Sequence, residues 1–160
     1  MLGSLLGCEG KVIENLGAID ARAELRADGV WVEIFLLTED GERLYWTSDL
    51  LSPHGAGVLA PEDLDTHVEI WSLRNGERNR KVYSGRLQGL HWNTIYVNAY
   101  RSLIGRVPSY AIERDPEADA PVGEMEIALI TPRQGTFRVT LSNVPIYPPG
   151  RFPSGGTADE

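Results

Sequence analysis

Polar and apolar residues alternate along most of the chain with the two-residue period of β-strands. From Ile19 to Leu25 every second residue is apolar and the residues between are charged, which predicts a half-buried strand. From Val30 to Leu37 both sets of alternate positions are largely apolar, which predicts a central strand with two covered faces. The turn signal Glu39-Asp40-Gly41 follows, and Arg43–Ser48 is predicted to return as the second strand of a hairpin.

The same alternation continues through the second half of the chain. A hairpin is predicted within 63–87 around Asn75-Gly76, and another pairs 124–131 with 136–142. Residues 93–100 and 109–114 are predicted strands, whereas 100–109 is limited to one helical turn by Gly105 and Pro108. In the last hairpin the predicted core residues are Met125, Ile127, Leu129, Phe137, Val139 and Leu141.

These elements amount to about eight strands with no substantial helix, which predicts an all-β, antiparallel β-sandwich. The pattern resembles an immunoglobulin-like or fibronectin type III-like sandwich, without the paired cysteines of antibody domains. A small closed barrel is the alternative topology. We expect an N-terminal arm or tether at 1–15, the sandwich at 16–147 and a disordered tail at 148–160, where Pro, Gly and acidic residues dominate.

The net negative charge of the chain limits the classes of partner that it is expected to bind. The 160-residue chain has a formal net charge of -8 and a pI near 4.9, which argues against nucleic acid as a partner. Anionic lipid surfaces also repel an acidic protein unless it carries an anchor. Arginine supplies nearly all of the positive charge, and the only lysines are Lys11 and Lys81.

Cys8 is the single cysteine, which excludes an intrachain disulfide and a zinc site built from cysteines. Leu5-Leu6-Gly7-Cys8 resembles the lipobox of bacterial lipoproteins, and the polar start Glu9-Gly10-Lys11 resembles a tether. The resemblance implies lipidation of Cys8 and a place in the cell envelope or outside the cell. Residues 1–7 lack the basic and long apolar parts of an export signal, so this expectation requires a native start upstream of Met1. Otherwise the domain is cytoplasmic and Cys8 is an ordinary thiol.

Two stretches carry candidate metal ligands. Alternate residues of a strand point to the same face, so an extended 63–69 would place Asp63, Asp65, His67 and Glu69 on one side. Their carboxylate and imidazole groups are of the kinds that bind divalent metals. Ligands in one row along a strand lie about 7 Å apart, which favours a solvated face instead. The loop 113–124 offers oxygens for calcium, chiefly from Asp115, Glu117 and Asp119, although it lacks EF-hand spacing. Calcium is therefore the one cofactor that we consider.

Catalytic motifs are absent from the sequence. The histidines are His54, His67 and His91, and no serine lies in a nucleophile elbow. Aromatic residues are abundant and form either core or a platform for sugars or proteins; they include Trp31, Trp46, Trp71, Trp92, Tyr45, Tyr83, Tyr96 and Tyr100.

The sequence thus favours a non-enzymatic binding or assembly module, with a protein partner or a homo-oligomer formed through an edge strand. A carbohydrate- or calcium-binding module is the alternative. A cytosolic sandwich of unknown role and a hydrolase built on His67 or His91 are the remaining classes.

Overall fold

Nine β-strands form the computed structural model, which describes residues 16–44, 46–47, 64–96, 99–132 and 134–147. The strands are β1 (Ala18–Arg26), β2 (Gly29–Leu37), β3 (Trp46–Thr47), β4 (Asp65–Arg74), β5 (Glu77–Gly85), β6 (Gln88–Tyr96), β7 (Ala99–Pro108), β8 (Val122–Thr131) and β9 (Gly135–Pro145). Within these ranges the helical content is a single 3-10 turn at Ser109–Ala111. No helix among the described residues is long and apolar enough to cross a membrane.

The strands divide into two antiparallel sheets. Sheet A has the order β1-β2-β7-β6, and the short β3 pairs with the start of β7. Sheet B has the order β5-β4-β8-β9. These orders match the ABED and C′CFG orders of immunoglobulin-like sandwiches. The predicted all-β antiparallel sandwich is therefore confirmed.

The two sheets are linked at both sides. The edge strands β1 and β9 lie beside each other on one side. On the other side only Arg86 and Leu87 separate β5 from β6, so the chain passes from sheet B to sheet A within two residues.

The core lies between the sheets and follows the predicted alternation. On β2 the inward residues are almost fully buried and comprise Val30, Val32, Ile34 and Leu36. Met125, Ile127 and Leu129 of β8 are fully buried opposite them. Phe137, Val139 and Leu141 of β9 are partly buried against the same core. Because β2 pairs with β1 on one side and β7 on the other, its predicted central position is confirmed.

The predicted turn at Asn75-Gly76 is also confirmed. Both residues have positive φ angles, 53° and 82°, as a type I′ turn requires. Glycine reaches this conformation without steric cost and asparagine tolerates it, so the local sequence fixes the β4–β5 hairpin.

The predicted return strand at Arg43–Ser48 is confirmed only at its start, where it pairs with the end of β2. The chain does turn where expected, with the Thr38 amide donating to the Glu42 carbonyl over 2.8 Å. Beyond that turn Arg43 bridges Leu37, and the Leu44 amide donates to the Leu36 carbonyl over 2.8 Å. The chain then leaves β2, and β3 pairs with β7. The β2–β7 ladder ends where Ile34 is opposite Leu103, so only the last residues of β2 leave an edge for the returning chain.

The prediction for residues 93–109 is also wrong in detail. The predicted strand 93–100 is split between β6 and β7, and the segment limited to one helical turn is the body of β7. Gly105 hides the alternation of β7, because it stands at an inward position between Leu103 and Val107. A Cβ at Gly105 would lie 2.8 Å from the Leu87 Cβ, so Leu87 fills the space that a side chain would take.

The predicted strand at 109–114 is replaced by the 3-10 turn. The Ser109 amide donates to the Asp28 carbonyl, and Ile112 turns into the core. Within the predicted strand, one backbone hydrogen bond to a neighbouring strand is present: the Glu113 amide donates to the Val82 carbonyl of β5 over 2.8 Å.

The alternation on β8 predicts unequal effects of two like substitutions. Ile127→Ala should lower the free energy of unfolding by about 2–5 kcal/mol, because it leaves a cavity in the core. Ile130→Ala, at an exposed position of the same strand, should change it by only about 0.5 kcal/mol. Urea unfolding followed by tryptophan fluorescence measures both, and equal losses would contradict the assigned sides of β8.

Candidate functional site

The outer face of sheet A, which points away from the core, carries a groove of about 350 Å³ that we call the Glu33 groove. Strand β1 supplies charged residues, β2 an aromatic ring and a carboxylate, β7 an apolar contact, and β6 an imidazole and an amide. The lining side chains are Arg22, Glu24, Arg26, Trp31, Glu33, His91, Asn93 and Ile104.

Glu33 lies at the centre of this face and is only 6% exposed, although it points away from the core. Its Oε1 accepts hydrogen bonds from Ser102 Oγ at 2.5 Å and from Asn93 Nδ2 at 3.0 Å, with Arg101 Nη2 at 3.5 Å. Its Oε2 accepts from Arg22 Nε at 2.6 Å and lies 2.5 Å from Arg22 Nη2. One carboxylate thus gathers side chains from β1, β6 and β7 around a residue of β2.

The pairing of strands brings these donors together. Arg22 is opposite Glu33 in the β1–β2 register, and Asn93 is opposite Ser102 in the β6–β7 register. Burial raises the pKa of Glu33, but the hydrogen bonds from Ser102, Asn93 and Arg22 outweigh it and hold the pKa below its ordinary value. Glu33 is therefore a permanently charged, fully engaged group at neutral pH.

Trp31 forms one wall of the groove. Its indole Nε1 donates to Asp28 Oδ1 at 2.8 Å, and Arg106 Nη1 holds the other oxygen of Asp28. The Arg26 guanidinium lies 4.9 Å from the ring centroid of Trp31. Hydrogen bonding at the indole fixes the plane of the ring, so Trp31 presents a defined apolar surface.

His91 and Arg26 lie at the rim. The His91 Nδ1 is 2.7 Å from the Gly89 carbonyl oxygen, which can only accept, so Nδ1 carries the hydrogen and the neutral ring keeps Nε2 as an acceptor. Arg26 donates from Nη2 to Glu24 Oε2 at 2.9 Å. The rim therefore offers both donors and acceptors to a bound molecule.

Further down the same face, Phe35 is also buried although it points outward. The Arg43 guanidinium covers its ring at 4.0 Å, and Arg22 lies at 5.8 Å from the same ring. Cationic side chains thus shield an apolar residue that neighbours the groove.

Sheet B presents a different outer face, in which oppositely charged residues are paired. Arg78 binds Glu124 and Glu126, and Arg138 also binds Glu126. Lys81 donates to Glu69, and its ammonium lies 4.8 Å from the Trp71 ring. These pairs lie on a solvated surface, where each contributes little to stability.

The first set of predicted metal ligands lies on that face. Asp65, His67 and Glu69 share a side of β4, as the alternation predicts, and Asp63 lies outside the described residues. Arg86 binds Asp65, while Glu69 binds Lys81 and approaches His67 at 3.5 Å. Each carboxylate thus has a cationic partner instead of converging on a shared point.

The predicted calcium ligands are oriented in different directions. Asp119 is buried, and its Oδ2 accepts from Arg80 Nη2 at 2.8 Å, the Asp115 amide at 2.7 Å and the Tyr147 hydroxyl at 3.2 Å. Asp115 Oδ1 accepts from the Glu117 amide, and the Glu117 side chain is exposed. No group of three or more His, Cys, Asp or Glu within the described residues could hold a metal ion. Calcium binding stays a prediction.

Asp119 and the three residues that donate to it, Arg80, Asp115 and Tyr147, form a group that we call the Asp119 cluster. Burial and the nearby Asp119 charge raise the pKa of Tyr147 to about 12. Burial raises the pKa of Asp119, but the Asp115 amide, Ser72 and Arg80 outweigh it, so that the pKa is lowered. The loop between β7 and β8 is thereby fastened to β5 and to the end of the described chain.

The aromatic residues do not form one platform in the described part of the chain. Trp31 and Trp71 lie on the outer faces of opposite sheets, while Trp92 and Tyr83 pack against the core. The side chains of Trp46, Tyr96 and Tyr100 and all of Tyr45 lie outside what the structure describes. Cys8 and His54 also lie outside it.

Sequence reasoning missed two residues at or near the outer face of sheet A, Glu33 and Tyr110. Glu33 interrupts an apolar strand, which is the one signal that could mark it. Tyr110 is 84% exposed on the 3-10 turn, with its hydroxyl 3.5 Å from Gln88 Nε2. Its segment was predicted as a strand, which concealed its exposure.

No family model matches the chain, and no curated protein matches it. Nothing in these comparisons indicates an enzyme.

The lowered pKa values of Glu33 and Asp119 predict acid sensitivity. Their stabilisation is present above the unfolded-state values, about 4, and is lost as the pH falls through the lower folded-state values. Glu33→Gln removes one of these contributions. Its free energy of unfolding should therefore be lower at pH 7 and should fall less steeply than that of the wild type in acid. Urea unfolding between pH 7 and pH 2 tests this, and parallel curves would contradict it.

Proposed function

We propose that the domain is a non-enzymatic binding module and that the Glu33 groove is its ligand-binding surface. The observation that carries the proposal is the buried carboxylate of Glu33 on the outer face of a sheet, saturated by side chains from three neighbouring strands. Outward positions of a sandwich are ordinarily solvated, so a buried charge at one of them is unusual.

The energetics of Glu33 support a role beyond stability. Removing a carboxylate from water costs several kcal/mol, and its partners only offset that cost when the geometry is good. An apolar β-branched residue at this position would satisfy the sheet without any such network. What the network supplies instead is a set of polar groups held in fixed positions, which is what selective binding requires.

The same geometry argues against acid–base catalysis at this site. A general acid or base needs a pKa near the working pH and an available proton or lone pair. The pKa of Glu33 is lowered, and both of its oxygens are occupied by donors.

Binding through the outer face of sheet A is better supported than addition of a partner strand at the β6 edge. The pairing of β6 with β7 has three register shifts, between Gln88 and Tyr96. Such irregularities bend an edge and disrupt its hydrogen-bonding row, which hinders addition of another strand. We therefore assign the partner to the outer face of sheet A, and a homo-oligomer through an edge remains the secondary hypothesis.

Membrane attachment through Cys8 is a separate proposal and rests on the lipobox-like residues alone. A diacylglycerol on the Cys8 thiol and an acyl chain on its amino group would supply two hydrophobic anchors. The acidic domain would then stand away from anionic headgroups.

The location of the binding surface predicts where bound molecules act. Nitrogen-resolved NMR spectra of the domain, recorded with a mixed library of sugars, dipeptides, nucleosides and small carboxylic acids, should shift the Trp31 indole and His91 resonances. The matched reporters on sheet B, Trp71 and His67, should not move. Shifts confined to sheet B, or none from the whole library, would contradict the proposed site.

The anchor proposal predicts the mass of the native protein. A membrane-bound species beginning at Cys8 and carrying the mass of added lipid is expected when source cells are fractionated and analysed by intact mass spectrometry. A soluble, unmodified species that retains Met1 would refute it without affecting the assignment of the groove.

A further inference from the structure

We propose that the ligand of the Glu33 groove is a neutral sugar chain that crosses the strands of sheet A. This inference rests on the proposed function and adds the chemical class of the ligand. Its basis is the combination of internally balanced charge, unused hydrogen-bonding capacity and a fixed aromatic wall.

Charge balance within the groove favours an uncharged ligand. Its two guanidinium groups and two carboxylates form the pairs Arg22–Glu33 and Arg26–Glu24. The positive and negative groups of the groove are thus equal in number and already paired, so the groove has no excess charge to attract an ionic ligand. The chain also carries a net charge of -8, which repels anions at a distance.

Hydrogen-bonding capacity remains after these pairs are made. Within the described residues, Arg22 directs Nε and Nη2 at Glu33, and Arg26 directs Nη2 at Glu24, so other N–H groups of both remain available. His91 Nε2 and Asn93 Oδ1 are acceptors. A molecule dense in hydroxyl groups can satisfy both kinds, because each hydroxyl donates and accepts.

The aromatic wall supplies the apolar contact that a sugar ring needs. Trp31 is half-buried with its ring plane fixed by the hydrogen bond to Asp28. Arg26 covers the ring from an exposed position, so a sugar ring can displace it while the guanidinium turns to a hydroxyl. The apolar CH face of a sugar then stacks on the indole.

The position of Tyr110 indicates the direction in which the proposed sugar chain would cross sheet A. Trp31, Arg106 and Gln88 are successive neighbours across β2, β7 and β6. Trp31 and Gln88 are thus separated by two strand spacings, roughly 10 Å. The exposed Tyr110 ring lies next to Gln88. A ligand that contacts both Trp31 and Tyr110 must therefore cross these strands, which requires several sugar units rather than one.

A peptide is less well matched to this surface. Protein interfaces depend on a central set of apolar and aromatic anchors that are buried together. Trp31 and Ile104 are the outward-pointing apolar side chains of the groove, and most of the other residues that line it are charged or polar. Peptide binding is therefore an outcome of the test rather than the proposal.

The test uses the full chain on an array of neutral and acidic glycans, followed by calorimetry with the neutral hexasaccharide that binds best. Trp31→Ala should weaken binding about tenfold, and His91→Ala about fivefold. The matched controls Trp71→Ala and His67→Ala on sheet B should bind within twofold of the wild type. Tyr110→Ala should weaken binding of the hexasaccharide but leave that of the corresponding disaccharide unchanged.

Each result decides the inference. No neutral glycan bound, binding of acidic glycans alone, or equal losses in the sheet B controls would overturn it. If the small-molecule library still shifts Trp31 and His91 while glycans fail, the groove is a binding site and only the ligand class is wrong. If a glycan binds but shifts only sheet B, the proposed site itself fails. Because His91 is an exposed rim residue, His91→Ala keeps the test decisive should Trp31→Ala not fold.

Discussion

One carboxylate organises the outer face of sheet A. Glu33 receives hydrogen bonds from Arg22 on β1, Asn93 on β6 and Ser102 on β7, so it joins the four long strands of the sheet through side chains as well as backbone. Loss of these donors would leave a buried charge unsatisfied at high cost. Loss of the carboxylate would leave the donors without their acceptor. The positions of the surrounding groups therefore depend on one another.

This constraint explains why the two outer faces differ. On sheet B each charge meets its partner near solvent, and the pairs can exchange with water at little cost. On sheet A the charge lies beneath its partners, so the groups around it are fixed in place. Among the described residues, the outer face of sheet A thus differs from that of sheet B in holding a buried, multiply hydrogen-bonded charge.

Much of the fold was predictable because alternation is a local property. The inward residues of β2 and β8 follow directly from their two-residue period, and Asn75-Gly76 specifies its own turn. The errors arose where a distant residue decided the local structure. Gly105 interrupts the pattern of β7 because Leu87, far along the chain, occupies its place in the core. The partner of Arg43–Ser48 depended on which strands had already paired with β2.

The groove was less predictable for the same reason. Carboxylates clustered in sequence, such as Asp115, Glu117 and Asp119, attract notice, yet they point in different directions in the fold. Glu33 stands alone among apolar residues, and its partners Asn93 and Ser102 are distant in sequence. Only the strand order brings them together, and strand order cannot be read from the period of one strand.

The placement of lysine determines how the domain would be oriented on a solid support. Lys81, one of the chain's two lysines, lies on the outer face of sheet B, where its ammonium binds Glu69 and approaches Trp71. The other, Lys11, precedes the strands, and no lysine is among the residues lining the Glu33 groove. Amine-directed coupling at Lys81 therefore attaches the protein through sheet B. The opposite face is left turned towards the solution, ready for a soluble molecule.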